Sequence, residues 1–194
     1  MSDTENTLHM ELPTGRVVIQ LRPDLAPQHV ARVKQLCAEV FYDNTPFHRV
    51  IEGFMAQGGD PTGTGTGGSK LPDLKAEFTR AAKFVRGTVG AARTAHPDSA
   101  NSQFYIMFQP MLKLDNHYTV FGRVVQGMPY VDAIQRGEPP ANPTRIVRAI
   151  IASDPAANTP PPPLPPVAAP AALPSGPVTP PDSATPPPSG APQQ

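Results

Sequence analysis

Short apolar runs, each bounded by turn-forming residues, set the pattern of this chain. Arg16-Val17-Val18-Ile19-Gln20-Leu21 is rich in β-branched residues and follows the turn signal Pro13-Thr14-Gly15, with the shorter Leu8-His9-Met10-Glu11-Leu12 before it. Two such runs around a tight turn predict a β-hairpin. Pro27 then stands where a helix would begin, and Val30, Val33, Cys37 and Val40 recur at helical spacing with Phe41 beside them. This predicts one amphipathic helix laid against the core. Further short stretches at 88–92, 104–108, 119–125 and 145–151 are separated by Gly, Pro, Asp and Asn, the pattern of an all-β barrel or sandwich. A second helix is expected over 129–136, ending at Gly137.

The pattern stops near residue 154. Of the 194 residues 28 are proline, most of them in the last forty positions, and from Pro155 to Gln194 the only charged side chain is Asp182. Such a segment cannot bury enough apolar surface to offset its ordering entropy, and its prolines favour polyproline II. The expected organisation is one folded domain over 5–153 and a disordered proline-rich tail over 154–194. The tail reads as an inert extension, as a polyproline ligand at 160–166 for an aromatic groove elsewhere, or as a segment whose Leu164-Pro165, Leu173-Pro174 and Gly176-Pro177 visit the domain's own site.

Charge narrows the partners. All 16 basic residues and 14 of the 16 acidic ones precede position 154, so the domain is only slightly basic and lacks the electrostatic footprint of a nucleic-acid binder. No apolar run approaches the roughly 20 residues of a membrane span, and Met1-Ser2-Asp3-Thr4-Glu5-Asn6-Thr7 lacks the basic and apolar regions of a secretory signal. Cys37 is the only cysteine and lies on the apolar stripe of the first helix, which makes it a small buried hydrophobe rather than a reactive thiol. A cytoplasmic monomer is expected.

The chemistry concentrates in Phe47-His48-Arg49-Val50-Ile51-Glu52-Gly53-Phe54-Met55-Ala56-Gln57-Gly58-Gly59-Asp60. It sets a permanently charged guanidinium a few residues before an aromatic ring, a thioether and an amide. Nothing in it is an activated nucleophile, so its chemistry must work by orientation and hydrogen bonding. If 47–57 is largely extended, alternation puts Arg49, Met55 and Gln57 on one face, and Gly53 supplies the kink that would bring Phe54 to them. Taken singly, Arg49 reads as an ordinary surface ion pair and Phe54 and Met55 as plain core. Gly63-Thr64-Gly65-Thr66-Gly67-Gly68 fits G-x-G-x-x-G, but no helix pattern follows it, so it reads as a flexible loop and not a nucleotide site. The five histidines lack ligand spacing, and no zinc is expected.

The 47–60 run resembles the signature segment of the cyclophilins, the peptidyl-prolyl cis/trans isomerases. Two further segments resemble the family in the same order: 91–106, with Gln103 and Tyr105, and 114–124, with Leu114 and Tyr118. The resemblance implies a mainly β fold, a closed eight-stranded antiparallel barrel capped by two α-helices. It also implies catalysis of rotation about Xaa-Pro bonds in peptides and in unfolded or folding proteins, with no cofactor. By that resemblance Arg49 matches the catalytic arginine and Gln57 a substrate-backbone contact. Phe54, Met55 and Leu114 match proline-pocket residues, Gln103 an active-site glutamine and Tyr105 a pocket phenylalanine. Arg93 and Thr94 stand where animal members have Ala and Asn, and would still offer backbone contacts to an extended peptide. Tyr118 aligns with the active-site histidine if no gap is placed, whereas a shift of one residue gives that role to His117. Lys113 stands where cyclosporin-sensitive members carry tryptophan, so weak cyclosporin binding is expected. The alternative function is a proline-peptide binding module without turnover.

Overall fold

The first hairpin forms as expected. A computed structural model describes residues 3–166, in which β1 (Thr7–Leu12) and β2 (Gly15–Leu21) pair antiparallel in a register running from Thr7↔Gln20 to Leu12↔Gly15. Leu8, Met10 and Leu12 therefore share one face with Val17, Ile19 and Leu21, and all six are buried in the core.

The first helix, α1 (Pro27–Ala38), has proline at its first turn and buries Val30, Val33, Leu36 and Cys37. Val40, expected on that stripe, is instead past the helix end and 61% exposed. The helix closes in a Schellman arrangement, Phe41 N–H donating to the Leu36 carbonyl and Val40 N–H to that of Cys37, with Val40 in the left-handed region at φ 58°. The apolar period continued in the sequence after the backbone had turned away from it. Cys37 is buried as expected, and burial pushes its thiol up to about 12.

The remaining strands are β3 (Arg49–Ile51), β4 (Met55–Gly58), β5 (Thr88–Ala91), β6 (Phe104–Met107), β7 (Val120–Gln126) and β8 (Arg148–Ile151). Every pairing is antiparallel, in the order β3-β4-β6-β5-β7-β2-β1-β8. The expected eight strands and their direction are present in a curled sheet. Its two edges meet through irregular backbone bonds rather than a ladder: Asn44 N–H to Ile146 O, Ile146 N–H to Thr45 O, Phe47 N–H to Thr144 O, and a reciprocal pair between Val50 and Gly137. Pro139, Pro140 and Pro143 lie in that seam and have no N–H to continue a ladder.

The second helix, α2 (Met128–Asp132), is shorter than the expected 129–136. Arg136 folds back so that its guanidinium donates to the carbonyls of Asp132 (2.6 Å) and Ile134 (2.7 Å), satisfying the helix end where further turns would have done so. The tail boundary also moves. Pro155–Asn158 forms a short 3-10 turn capped by Asp154, with Ala157 buried and Arg148 donating to the carbonyls of Ala156 (3.1 Å) and Thr159 (2.8 Å). The start of the expected tail therefore belongs to the domain, because buried Arg148 needs those acceptors. The tail readings at 167–194 lie outside the described residues.

One apolar cluster fills the space between α1 and the sheet. A second, smaller one, built on Met55, Phe84, Ala92, Tyr105, Met107, Leu114 and Val120, underlies the functional site.

Candidate active site

Residues 47–57 are not one kinked strand. They form a hairpin, in which Phe54 N–H donates to Ile51 O at 3.0 Å and Gly53 turns the chain at φ 71°, the left-handed region that favours glycine. The register pairs Arg49 with Gln57 and Ile51 with Met55, so Arg49, Met55 and Gln57 do share a face, by reversal of the chain rather than by continuation. Phe54, at the end of the turn, is half-buried and packs on the same cluster as Met55.

Arg49 keeps 21% of its side-chain surface and donates from Nε to Glu138 Oε1 at 2.6 Å. The surface ion pair expected of a lone arginine therefore exists. It occupies only one edge of the guanidinium, however, since the Nη1 group is buried and finds no acceptor among the described residues. Opposite it, Gln57 donates Nε2–H to Gln103 Oε1 at 3.0 Å, leaving its own buried Oε1 without a donor.

The orientation of those amides is set from behind. Gln103 Nε2 donates to the carbonyls of Gly65 (3.0 Å) and Gly67 (2.8 Å), so its oxygen must face Gln57, and the nitrogen of Gln57 must face Gln103. The two glycines belong to the loop expected to be flexible, but Asp60 fixes it. Its carboxylate is fully buried and accepts from Thr62 N–H (2.8 Å), Thr62 Oγ1–H (2.7 Å), Gly65 N–H (2.8 Å) and Gly67 N–H (3.0 Å). Burial alone would raise the Asp60 pKa, but these donors together outweigh it and hold the group below the usual carboxylate range. Sequence reasoning missed Asp60 as the organiser of the loop, although an aspartate heading a Thr/Gly run is the available signal.

The apolar floor is Met55, Tyr105 and Leu114, all buried, with Phe54 and Tyr118 at its edges. Tyr105 stacks on Phe84 (centroids 5.9 Å apart) and meets Tyr118 edge to face at 6.2 Å. Its cross-strand partner is Gly90, where an added Cβ would lie 2.7 Å from the tyrosine ring and hydroxyl, so glycine is what admits the ring. Burial, then the neighbouring Tyr118, pushes the phenol well above its ordinary pKa, and its hydroxyl has no partner among the described residues. Tyr118, not His117, turns towards this cluster; His117 is exposed and contributes its carbonyl to Arg93 Nη2 at 2.7 Å. Lys113 is exposed in the short turn Leu112–Leu114.

Arg93 contributes more than backbone. Its guanidinium lies 4.3 Å over the Tyr118 ring and 5.9 Å from that of Phe78, so it forms part of the pocket rim. The N–H (2.9 Å) and hydroxyl (2.7 Å) of Thr94 both bond Ser99 Oγ within its own loop. A cleft of about 370 Å³ runs between Gly67, Gly68 and Ser69 on one side and Arg93, Thr94 and Gln103 on the other. Among the described residues no group of three or more His, Cys, Asp or Glu side chains is placed to hold a metal ion, and no helix is long and apolar enough to cross a membrane.

Comparison with known proteins converges on one family. The model for "Cyclophilin type peptidyl-prolyl cis-trans isomerase/CLD" matches residues 7–151. A probable peptidyl-prolyl cis-trans isomerase of Brucella suis is 48% identical over 169 residues, spanning 79% of this chain and 86% of its own. Among solved structures, a cyclophilin from Hirschia baltica superposes with a TM-score of 0.72 at 29% identity, covering 78% of this chain and 76% of its own. A cyclophilin-type isomerase of Cryptosporidium parvum, solved in the presence of the dipeptide Ala-Pro, gives 0.71 at 27% identity, covering 76% and 99%.

Proposed function

This chain belongs to the cyclophilin-type peptidyl-prolyl cis-trans isomerase family, and from that premise we propose how its own groove accelerates rotation about Xaa-Pro bonds. The barrier, about 18–20 kcal/mol, is the loss of amide resonance. As the bond twists, the prolyl nitrogen becomes pyramidal and gains a lone pair, and only contacts stronger in that state raise the rate. In our reading Arg49 supplies the donor, and the carrying observation is its buried Nη1 group, without an acceptor among the described residues, on the same face as the Gln57 Oε1 that receives no donor from them.

Met55, Tyr105 and Leu114 form the floor for the pyrrolidine ring, bounded by Phe54 and Tyr118. Gln57 Oε1 accepts a backbone N–H of the peptide, and the cleft between 67–69 and 93–94 takes the chain preceding the proline. The Ala-Pro dipeptide used with the Cryptosporidium parvum relative fits this ligand class. Rotation needs neither electrons nor a group carrier, so no cofactor enters.

The same reading makes the protein a cytoplasmic monomer without nucleic-acid or membrane partners. It is supported by the slight charge imbalance of the domain and the buried Cys37. An isomerisation assay on short Xaa-Pro peptides beside a binding titration tests the function. Acceleration supports the enzyme, whereas binding without acceleration supports a recognition module.

A further inference from the structure

We propose that Glu138 is a positioning residue for Arg49, held there by a three-residue clamp on the β3–β4 hairpin; this rests on the role given to Arg49 above. Residues 136–138 each engage that hairpin. Gly137 exchanges two backbone hydrogen bonds with Val50, both 2.8 Å. On one side of it Arg136 Nε donates to Glu52 Oε2 at 2.7 Å, and on the other Glu138 Oε1 accepts from Arg49 Nε at 2.6 Å. The two ion pairs run in opposite senses, acid on the hairpin in one and base in the other, so the pairing has a single register. Arg136 is itself fixed by the carbonyls of Asp132 and Ile134 and by the Phe108 ring, 4.3 Å from its guanidinium.

The consequence for Arg49 is geometric. An arginine stem has many rotamers, and a guanidinium left to choose among them spends part of its time pointing away from the groove. The Glu138 carboxylate lies at the solvent edge, 55% exposed, while Arg49 is 21% exposed. A carboxylate on Nε at that edge orients the planar group and leaves Nη1 buried and unspent. An exposed pair of this kind contributes little to folding, so its effect is expected on turnover and not on stability. Among the described residues Glu138 is the only hydrogen-bond partner of this guanidinium, so nothing else there fixes it.

The test compares kcat and KM on an Xaa-Pro peptide, with thermal unfolding, for the full chain and for Glu138→Gln, Glu138→Ala, Arg49→Ala and the double variant Glu138→Ala/Arg49→Ala. Loss of orientation without loss of the donor predicts a fall in kcat of about tenfold for Glu138→Ala, with KM and melting temperature nearly unchanged. Glu138→Gln keeps an oxygen for Nε–H and retains most of the rate. In the Arg49→Ala background Glu138→Ala has no further effect. An unchanged or raised kcat for Glu138→Ala, or an equal loss in the absence of Arg49, overturns the positioning role and leaves that of Arg49 standing. Full activity of Arg49→Ala removes both.

Discussion

Gln103 holds Gln57 by a single hydrogen bond, Nε2–H of Gln57 to Oε1 of Gln103 at 3.0 Å, and the direction of that bond is dictated by the carbonyls of Gly65 and Gly67 on the far side of Gln103. The Gln57 amide, which we propose meets substrate, is thus oriented by backbone beyond its own neighbour, through a loop that Asp60 organises. Gln103→Glu replaces the donor by an oxygen facing both carbonyls. Denaturant unfolding should show a loss of about 1–3 kcal/mol for the groups left unsatisfied. The peptide assay should show a lower kcat/KM, because repulsion from both carbonyls pushes the side chain at 103 away and carries with it the oxygen that orients Gln57. Unchanged turnover in a folded Gln103→Glu variant would remove the relay.

The pocket floor makes two opposite predictions at neighbouring positions. Tyr105→Phe deletes a buried hydroxyl that has no partner among the described residues, so stability should stay level or rise by up to about 1 kcal/mol. Gly90→Ala pushes a methyl group into the same ring and should cost about 1–3 kcal/mol. Chemical denaturation of both variants checks the pair, and a destabilised Tyr105→Phe would reveal a partner for the hydroxyl.

Acid should destabilise the fold in two stages. Burial is the largest influence on both His29 and His48 and lowers their pKa, against the raising effects of Glu77 and Asp60 respectively. Each therefore takes up its proton at lower pH in the folded chain than in the unfolded one, where uptake begins at about pH 6.5. Their contribution is complete above that value and is lost as the pH falls through the lowered folded values. Asp60, also lowered in the fold, contributes above its unfolded value of about 3.9 and is lost below it. Unfolding free energies at pH 7.5 and 5 should differ, and His48→Gln should flatten that slope.

The boundary of the domain is measurable by truncation. Ending the chain after Asp154 removes buried Ala157 and the carbonyls of Ala156 and Thr159 that Arg148 uses. Ending it after Pro166 leaves them. The shorter form should be less stable by about 1–3 kcal/mol per unsatisfied buried donor, and equal melting temperatures would return the boundary to 154.

Much of this site was legible in the sequence, for an instructive reason. Parity along 47–57 placed Arg49, Met55 and Gln57 on one face although the segment reverses at Gly53. In an antiparallel hairpin, residues opposite each other share a face, so a turn that pairs 49 with 57 and 51 with 55 preserves the alternation of one unbroken strand. The face was readable and the reversal was not. The helix end at Val40 was misplaced because apolar period continues through a left-handed cap that carries no glycine. Asp60 and Glu138 were not read at all: one acts through loop amides, the other on Arg49 across 89 positions of chain. Neither contact leaves a local spacing to find.

If Arg49 accelerates rotation by meeting the twisted prolyl bond, kcat/KM for a short Xaa-Pro peptide must separate the wild-type chain from Arg49→Ala. Wild type should shorten the uncatalysed relaxation of about 10–100 s. Arg49→Ala should lose on the order of 10²–10³ in kcat/KM while still binding the peptide through Met55, Tyr105 and Leu114. An Arg49→Ala variant as fast as wild type, or a wild-type chain that binds the peptide without accelerating it, would contradict the claim.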